Sequence, residues 1–436
     1  DVLGSRGLGD VYKRQYLYTT SIKESDYPMN NNTGTLAYVL DTTLGNKNLK
    51  WETLRSTNVG LDVSLFNSRV NLTAEWYNNE VSDMLMKCVI PSSTGYTAQY
   101  QNVGKMRNRG FELTLNTVNI RTKDFSWTSD LNLAFNRSKV ISLETGQNEK
   151  TFAVGGNRSG TVTYYAVVGQ KLGDMYGYIY DGVYTTDDFM QDDKGNFSLR
   201  EGVVVPVNSK GEAKPVQPGD IKFAANQIGE DGTAQFSEAH KVKIGNGTPD
   251  CIGGFNNTFT FRGFDLSVFM KFSIGNDIYN ATKHSMSPYG QFQNVPAEFG
   301  SNYYRLIDPV TGQKATTLAR IKELNPDESS RLWNLGSTNS SYITYPSSYY
   351  VEDGSYLRIA QVTVGYTFPK RWLQKAMISN ARIYFTANNL ATITGYSGYD
   401  PEVSAGSSDY VACTPGYDSS MYPRSRSYVI GLNLTF

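Results

Sequence analysis

The clearest pattern in the chain is a regular alternation of apolar residues with smaller or more polar residues over its last nine positions. One face of this stretch carries Tyr428, Ile430, Leu432, Leu434 and Phe436. A period of two is the spacing of a β-strand with one apolar face. Strands of transmembrane barrels have this pattern, with aromatic residues at the membrane interface. The alternative is an ordinary terminal strand of a soluble β-sandwich.

The same alternation recurs upstream and predicts a series of β-hairpins. The first hairpin has its strands on either side of a short turn at 66–69. Further strand pairs are predicted around short turns at 121–124, 169–173, 262–263 and 369–380. Residues 16–50 lack the alternation and are predicted to be a polar loop.

The connections between the predicted strands are sorted by length. Turns within hairpins are short, whereas most connections between hairpins are long. The long connections are 81–107, 136–160, 186–250, 274–355 and 390–426. Transmembrane barrels show this asymmetry, with short periplasmic turns and long extracellular loops. We therefore predict an all-β fold, an antiparallel transmembrane β-barrel with about eleven strands in this chain.

Charge and composition exclude several classes of protein. The 41 Lys and Arg residues balance the 41 Asp and Glu residues, so no net field attracts nucleic acid. The 31 Tyr residues suit membrane interfaces and sugar-binding surfaces. No run approaches the ~18 apolar residues of a membrane helix, which excludes a helical membrane protein but not a barrel.

Residues that commonly hold metals or catalyse reactions are few and scattered. The three cysteines, Cys88, Cys251 and Cys413, have no metal or redox spacing. The two histidines, His240 and His284, assemble no zinc or His-based catalytic constellation. We therefore expect no enzyme activity, no catalytic residue, no metal and no cofactor.

The start of the chain differs from the rest. Residues 1–15 have neither the apolar core of a signal peptide nor strand alternation. Their end, Gly9–Gln15, resembles translated sequencing-adapter sequence. We expect residues 1–15 to be a non-native extension, and residues 16–436 to be the C-terminal part of a longer receptor barrel.

Several stretches between about residues 45 and 436 resemble, in order and spacing, segments of the SusC/RagA-type TonB-dependent outer-membrane transporters. They include Asn48–Thr53, Asn102–Leu113, Tyr176–Tyr184, Asp353–Arg358 and Gly398–Val403. The last nine residues also resemble the C-terminal signal that the barrel-assembly machinery reads. Each motif is weak alone, and the ordered set carries the resemblance.

This resemblance implies the C-terminal half of a barrel of about 22 strands with a plugged lumen, open in isolation. It implies a location in the Gram-negative outer membrane, in contact with lipid. It also implies import of an oligosaccharide or peptide, with TonB supplying the energy and a SusD-like surface lipoprotein acting as a lid. The plug and the TonB-binding segment of the family lie upstream of the matched segments.

The segment 225–233 departs from the family. Where the family often has a carboxylate-rich Asp-x-Asn-Gly-Asp-Gly stretch, this chain has the adjacent pair Glu230 and Asp231. Adjacent carboxylates lack the alternate spacing of an EF-hand-like loop. We therefore predict a solvated acidic loop here rather than a cation site.

Aromatic residues in or beside the long loops are candidate ligand contacts, because aromatic rings stack on sugar rings and pack against protein lids. The candidates are Tyr303, Tyr304, Trp333, Tyr349, Tyr350, Tyr396, Tyr399 and Tyr417. The other interpretation is that these rings form an interface girdle or pack among themselves within the loops. Two other functions stay open from sequence, a passive porin and a secreted carbohydrate-binding or adhesin β-sandwich.

Overall fold

The computed structural model describes residues 22–29, 33–40, 43–144, 146–155, 161–208, 210–237, 240–287, 296–335, 343–373, 378–403 and 413–436, with side-chain burial from residue 43 onward. The chain is predominantly β. The strands are β1 (Ile22–Met29), β2 (Thr33–Leu40), β3 (Thr43–Leu44), β4 (Thr53–Leu65), β5 (Val70–Ser82), β6 (Leu85–Val89), β7 (Ala98–Asn102), β8 (Lys105–Arg121), β9 (Phe125–Ser142), β10 (Glu149–Gly155), β11 (Thr161–Val167), β12 (Asp174–Gly177), β13 (Tyr180–Val183), β14 (Phe189–Gln191), β15 (Phe197–Leu199), β16 (Val205–Val207), β17 (Ile221–Phe223), β18 (Thr233–Gln235), β19 (Val242–Asn246), β20 (Cys251–Phe261), β21 (Phe264–Ile274), β22 (Asp277–Asn280), β23 (Val351–Asp353), β24 (Tyr356–Thr367), β25 (Asn380–Thr394), β26 (Tyr417–Asp418) and β27 (Ser427–Thr435).

The helices are short. They are α1 (Ala281–Met286), α2 (Ala297–Asn302), α3 (Leu318–Leu324) and α4 (Lys370–Leu373), with 3₁₀ turns at Ser92–Thr94, Thr186–Asp188, Glu328–Ser330 and Ser348–Tyr350. Within the described ranges, no helix has the length and apolar character needed to cross a membrane.

One sheet of nine long strands dominates the fold. Its order is β27-β25-β24-β21-β20-β9-β8-β5-β4, so each strand pairs with its neighbours along the chain. Every pairing in this sheet is antiparallel. The alternation in the sequence therefore predicts these strands and their hairpin pairing correctly.

The structure confirms the sorting of connections by length for four of the five predicted short turns. The turns 66–69, 122–124 and 262–263 and the connection between β24 and β25 lie on one side of the sheet, which we call the short-turn side. The chain ends on the same side, because Thr435 pairs with Asn380 at the start of β25. The long connections between hairpins all lie on the opposite, long-loop side.

The two faces of the nine-stranded sheet differ in chemistry. Residues that pair directly across an antiparallel sheet share a face. Leu432, Ile383, Tyr366 and Phe264 pair in succession and mark the apolar face. The intervening residues mark the polar face, where side chains bond across strands in the pairs Thr73–Asp62 (2.6 Å), Asn116–Asp130 (2.8 Å) and Thr363–Thr386 (3.0 Å).

A small polar group interrupts the apolar face. The Asn257 side-chain oxygen accepts hydrogen bonds from Trp127 Nε1 at 3.0 Å and from Ser129 Oγ at 2.7 Å. The Asn119 amide donates to Ser129 Oγ at 2.7 Å. Because these polar atoms satisfy one another, they are compatible with an apolar environment.

Two predictions of strand placement are wrong. Residues 16–50, predicted to be a loop, contain the hairpin of β1 and β2, whose residues pair from Ile22–Leu40 to Met29–Thr33. The turn 169–173 joins β11 and β12, which belong to a separate four-stranded sheet in the order β10-β11-β12-β19. Local alternation marks β11 as a strand, but it does not specify which sheet a strand joins.

The long connections form a second structure, which we call the loop-side body. It contains the four-stranded sheet, several two- and three-stranded sheets, and helices α1 to α3. Its core combines residues from all three of the longest connections, for example Phe223, Trp333 and Tyr417. The loop-side body thus has a buried interior of the kind found in water-soluble domains.

Candidate functional site

The polar face of the nine-stranded sheet is the first part of the candidate site. Its cross-strand hydrogen bonds join Ser, Thr, Asn and Asp side chains, most of them at least partly exposed, such as Ser64 to Asn71 at 2.8 Å. Arg382 forms a charged bridge to Asp265 near the short-turn side, with Nε at 3.0 Å from Oδ1. Such a surface offers many weak hydrogen-bonding positions to water and polar solutes.

The second part is an ionic cluster at the long-loop end of the polar face. We call it the Arg358 cluster; it consists of Lys271, Tyr356, Arg358, Asp400, Glu402 and Arg424. Arg358 is 2% exposed and contacts the carboxylates of both Asp400 and Glu402, at 3.1 Å for the latter. Lys271 also pairs with Glu402, and the Tyr356 hydroxyl donates to the same carboxylate at 2.9 Å.

The Arg358 cluster attaches the segment after β25 to the sheet. Lys271, Tyr356 and Arg358 are strand residues, whereas both carboxylates belong to the segment 395–403. Arg424, just before β27, adds a third cation, with Nε at 3.0 Å from Glu402. Charged residues from three parts of the chain therefore hold this loop against the mouth of the polar face.

Burial is the largest influence on the pKa of Asp400 and raises it. The hydrogen bonds from Arg358 and from the backbone N–H groups of Glu402 and Arg424 outweigh burial, so the pKa lies below its usual value. The pKa of Glu402 is also lowered, because Lys271 and Tyr356 outweigh burial in the same way. Both carboxylates are therefore charged at neutral pH, and the cluster carries two negative and three positive groups.

The eight candidate aromatic residues divide by exposure. Five are buried in the loop-side body: Tyr304, Trp333, Tyr350, Tyr396 and Tyr417. The rings of Trp333, Tyr350 and Tyr417 pack on other rings, as in the contact of Trp333 with Phe299 at 4.8 Å between centroids. Self-packing of the loops, the second interpretation from sequence, describes these five residues.

Two hydrogen-bonding networks fix buried rings in place. His284 Nε2 donates to the Ile343 carbonyl oxygen at 2.7 Å, and His284 Nδ1 is hydrogen-bonded to the Tyr279 hydroxyl at 2.6 Å. His284 stacks on Tyr350, with ring centroids 4.0 Å apart. The Tyr396 hydroxyl donates to Asp418. Burial, followed by this carboxylate, raises the pKa of Tyr396.

The other three aromatic candidates retain surface. Tyr399 is 70% exposed and lies directly before Asp400 in the loop held by the Arg358 cluster. Tyr303 and Tyr349 are half-buried. Lys283 Nζ lies 4.4 Å from the Tyr349 ring centroid, and the Tyr349 hydroxyl donates to Glu298 at 3.1 Å. Ligand contact stays a prediction for these three rings, with Tyr399 the most accessible.

The last strand presents its aromatic and aliphatic side chains to the outside. Tyr428, Ile430, Leu432, Leu434 and Phe436 are 60%, 77%, 59%, 44% and 83% exposed, respectively. The strand β27 is an edge of the nine-stranded sheet, since β25 is its one partner among the described strands. Its role as an assembly signal stays a prediction, and the exposed apolar row is what such a signal requires.

The acidic segment near Asp231 is a small turn. Asp231 Oδ1 accepts from the Thr233 hydroxyl at 2.7 Å and from the Thr233 backbone N–H at 3.1 Å. These hydrogen bonds lower the pKa of Asp231. Within the described ranges, no group of three or more potential metal-binding side chains converges here or elsewhere.

The Arg358 cluster is not among the residues predicted from the sequence. Its two halves lie in the segments Asp353–Arg358 and Gly398–Val403, which carry part of the family resemblance. An arginine at alternate spacing within an apolar strand, and two carboxylates flanking a proline in a loop, were the available signals. The contact between them depends on the chain returning to the sheet, which local patterns do not reveal.

Comparison with known proteins finds similarity to TonB-dependent receptors. The family model described as "TonB dependent receptor-like, beta-barrel" matches residues 14–211. TonB-dependent receptor P3 of Formosa agariphila is 30% identical over 400 residues, which cover 91% of this chain and 35% of the relative. TonB-dependent receptor SusC of Bacteroides thetaiotaomicron is 26% identical over 443 residues, covering 100% of this chain and 37% of the relative.

Solved structures show the same fold. A structure of the RagAB peptide transporter superposes with a TM-score of 0.68 at 23% identity, covering 97% of this chain and 39% of that chain. The chain therefore spans between a third and two-fifths of the length of the proteins it matches. The relatives are receptors and transporters, which confirms the expectation that the chain is not an enzyme. The chain is therefore similar to the β-barrel of TonB-dependent receptors, and SusC is among the relatives that it resembles.

Proposed function

We propose that this chain forms part of an outer-membrane importer that takes up a nutrient, an oligosaccharide or a peptide, with energy from TonB. The observation that supports this most directly is the nine-stranded sheet, with one apolar face, one polar face and its long connections on one side. In a transmembrane barrel the apolar face contacts lipid and the polar face lines the lumen. The long-loop side is then extracellular, and the short turns are periplasmic.

We propose further that residues 16–436 are the C-terminal part of a 22-stranded barrel, and that residues 1–15 are not native. The nine-stranded sheet and the hairpin of β1 and β2 together contain eleven antiparallel strands, about half of such a barrel. The hairpin fits the order of turns, because only residues 30–32 separate β1 from β2. The short coverage of the relatives agrees with this division.

The proposed partners follow from the exposed surfaces. The loop-side body offers a structured platform on the extracellular side for a SusD-like lipoprotein, with Tyr399 at its surface. TonB would act through a segment outside the matched region. The row from Tyr428 to Phe436 suits recognition by the barrel-assembly machinery, and the apolar face contacts outer-membrane lipid. Net neutrality gives no basis for a nucleic-acid partner.

In this proposal the chain carries out no covalent chemistry. The polar face provides exchangeable hydrogen bonds, which let a hydrated solute pass without being held tightly. The Arg358 cluster fixes the loop 395–403 at the entrance, and Tyr399 presents an aromatic ring there. The charged state of the cluster at neutral pH keeps this entrance geometry constant.

Orientation can be tested by labelling single cysteines in intact cells. Cys88, Cys251 and Cys413 are first replaced by Ser, and a cysteine is placed at Val310 on the long-loop side or at Ser68 in a short turn. Val310 is 89% exposed, and Ser68 is also exposed, so both positions are accessible. A membrane-impermeant maleimide should label Val310→Cys in intact cells and Ser68→Cys only after lysis. The reverse pattern would overturn the proposed orientation.

Energy coupling separates the importer from a passive porin. Cells producing the whole protein would be given labelled oligosaccharide and peptide mixtures, with and without a protonophore. Import that stops with the protonophore, or in a strain without TonB, supports the proposal, and the mixture that accumulates identifies the substrate class. Uptake that persists under both conditions would favour a passive pore. A product that is soluble without detergent would refute the membrane assignment.

A further inference from the structure

Four positive side chains face one another at the long-loop end of the apolar face. Arg109 of β8 pairs directly with Arg137 of β9, and Arg107 pairs directly with Lys139. Like charges that are directly opposite on one face of a sheet repel each other. Two such pairs in consecutive positions of the same face are unfavourable unless an anion lies between them.

In the described part of the chain, one carboxylate, Glu80, interacts electrostatically with Arg107, and Arg109, Arg137 and Lys139 have no close acidic partner. Ion pairs and side-chain hydrogen bonds of Arg109, Arg137 and Lys139 are absent among the described residues. Glu80, which pairs with Arg107 across β5 and β8, forms its close ion pair with Lys105 at 2.7 Å, so its one negative charge is shared between these two cations. The Arg107 Nε atom is buried and lacks a hydrogen-bond partner within the described residues. The group therefore has unused donors as well as excess charge.

An aromatic row lies immediately next to these cations. Trp76, Phe111 and Phe135 pair in succession across β5, β8 and β9, and each is just over 40% exposed on the apolar face. The Arg109–Arg137 pair is two residues further toward the long-loop side, roughly 7 Å along the strands. Aromatic rows of this kind mark the level of lipid headgroups in membrane barrels.

A second aromatic row supports the assignment of the first row to the level of the lipid headgroups. Phe125 and Trp127 lie at the other end of β9, and Trp127 stacks on Phe259 at 5.6 Å. From Phe125 to Phe135 the strand rises roughly 33 Å, or about 25 Å along the membrane normal at a tilt of about 40°. This height matches the apolar band of a transmembrane barrel, so the cations lie just outside the band on the long-loop side.

The cations also line a cavity. A space of about 600 Å³ is bounded by Arg109, Arg137 and Lys139, with Lys171 contributed by the loop-side body. Trp76, Phe111 and Phe135 form its apolar wall. A ligand that fits this cavity carries negative charge at one end and apolar surface at the other.

We propose that this cavity binds the phosphate group of a lipid in the outer leaflet, with the acyl chains lying on the aromatic row. Arginine pairs form bidentate hydrogen bonds with phosphate oxygens, and Lys139 and Lys171 add point charges. The bound phosphate removes the repulsion between the opposed cations. This inference rests on the assignment of the apolar face to lipid made under the proposed function.

The test uses the whole protein purified in a neutral detergent, with a phosphorylated glycolipid of the lipid A type as the probe. Binding is measured by native mass spectrometry and by lipid titration. The Arg109→Gln, Arg137→Gln double variant should bind the phosphorylated lipid at least tenfold more weakly than the wild type. The matched control is Arg121→Gln, Lys123→Gln, which removes two exposed cations at the short-turn end and should bind like the wild type.

Further arms identify the source of the phosphate and separate charge from folding. The dephosphorylated lipid should bind weakly to all variants, and the Arg109→Lys, Arg137→Lys variant should retain part of the affinity. Inorganic phosphate should not displace the lipid at equal concentration. Equal binding by the Gln variant and the wild type, or displacement by equimolar inorganic phosphate, would overturn the proposal.

Lipid binding by the purified protein needs no transport. Absence of lipid binding by the wild-type protein, with its uptake intact, would therefore refute this inference alone, whereas intact lipid binding without energy-dependent uptake would refute the proposed importer.

Discussion

The nine-stranded sheet and the loop-side body bury their apolar residues in opposite ways. The sheet exposes large apolar side chains along one face, as at Leu61 and Leu432, which are 60% and 59% exposed. The loop-side body encloses its large side chains, and Trp333 and Tyr279 are 1% and 0% exposed. In water, exposed apolar surface of this extent is unfavourable, whereas in lipid it is favourable.

This contrast shows that one chain contains two regions suited to two solvents. The sheet obtains its stability from strand pairing and from contact with lipid, and it has little core of its own. The loop-side body obtains its stability from aromatic packing and buried hydrogen bonds, as water-soluble domains do. Substitutions of the same kind should therefore have different effects in the two regions.

The largest effect is expected from Trp333→Ala. In the core, the Trp333 ring centroid lies 4.8 Å from that of Phe299 and 5.1 Å from that of Tyr349. Truncation should leave a cavity and lower the free energy of unfolding by about 3–5 kcal/mol. Protease resistance and urea unfolding of the loop-side body would measure the loss. Trp372→Ala is the matched control, because Trp372 is 57% exposed on the short-turn side and should change stability by only about 0.5 kcal/mol. Equal losses would show that Trp333 is not part of a cooperative core.

The next largest effect is expected from Leu61→Arg on the apolar face. A charge in the apolar band of a barrel costs roughly 2–4 kcal/mol near the membrane midplane. The variant should assemble poorly, which heat-modifiable gel migration and the amount in the outer membrane would show. Asn58→Arg, on the polar face of the same strand, should assemble normally. If both variants assembled equally well, the apolar face would not contact lipid.

The contrast between the regions also explains what could be predicted from the sequence. The sheet was predictable because apolar and polar residues alternate along each strand. This alternation alone shows that one face of the sheet differs from the other, as in residues 428–436. The pairing of the strands and the sorting of the turns followed from the short connections. Two consecutive strands joined by a short connection can pair only as an antiparallel hairpin. The β1–β2 hairpin was missed because polar residues and a turn cluster obscured its pattern.

The loop-side body was not predictable in the same way. Its strands are mostly three to five residues long, too short to show a period. Tyr304, Trp333 and Tyr350 lie in polar stretches, so their burial depends on contacts between distant segments such as 219 and 304. Aromatic content marked these residues as notable, but it did not distinguish a core from a binding surface.

A third, more local effect is expected when the pH is lowered. The pKa values of Asp400 and Glu402 are lower in the folded protein than in the unfolded chain, so both groups stabilise the attached loop at neutral pH. This contribution is lost as the pH falls below about 4 and the carboxylates become protonated. Limited proteolysis with a protease that is active in acid should then cleave the loop 395–403, whereas the nine-stranded sheet should stay intact.

Asp400→Asn provides the control for this pH effect. The variant keeps the shape of the side chain but removes one of the two titrating charges, so the loop should already be more accessible to protease at pH 7. Its accessibility should also change less between pH 7 and pH 4 than that of the wild type. Acid-induced cleavage that is the same in the variant and the wild type would mean that other carboxylates control the loop.

The smallest effect distinguishes the two tyrosines of this loop. Tyr396→Phe keeps the buried ring but leaves the Asp418 carboxylate, which is 2% exposed, without its hydroxyl donor, at a cost of about 1–2 kcal/mol. Tyr399→Phe should cost almost nothing, because that side chain is 70% exposed. Thermal unfolding of the loop-side body measures both variants. If Tyr399→Ala then reduces nutrient uptake while Tyr396→Phe changes stability alone, the exposed ring contacts the ligand, and the buried ring serves the core.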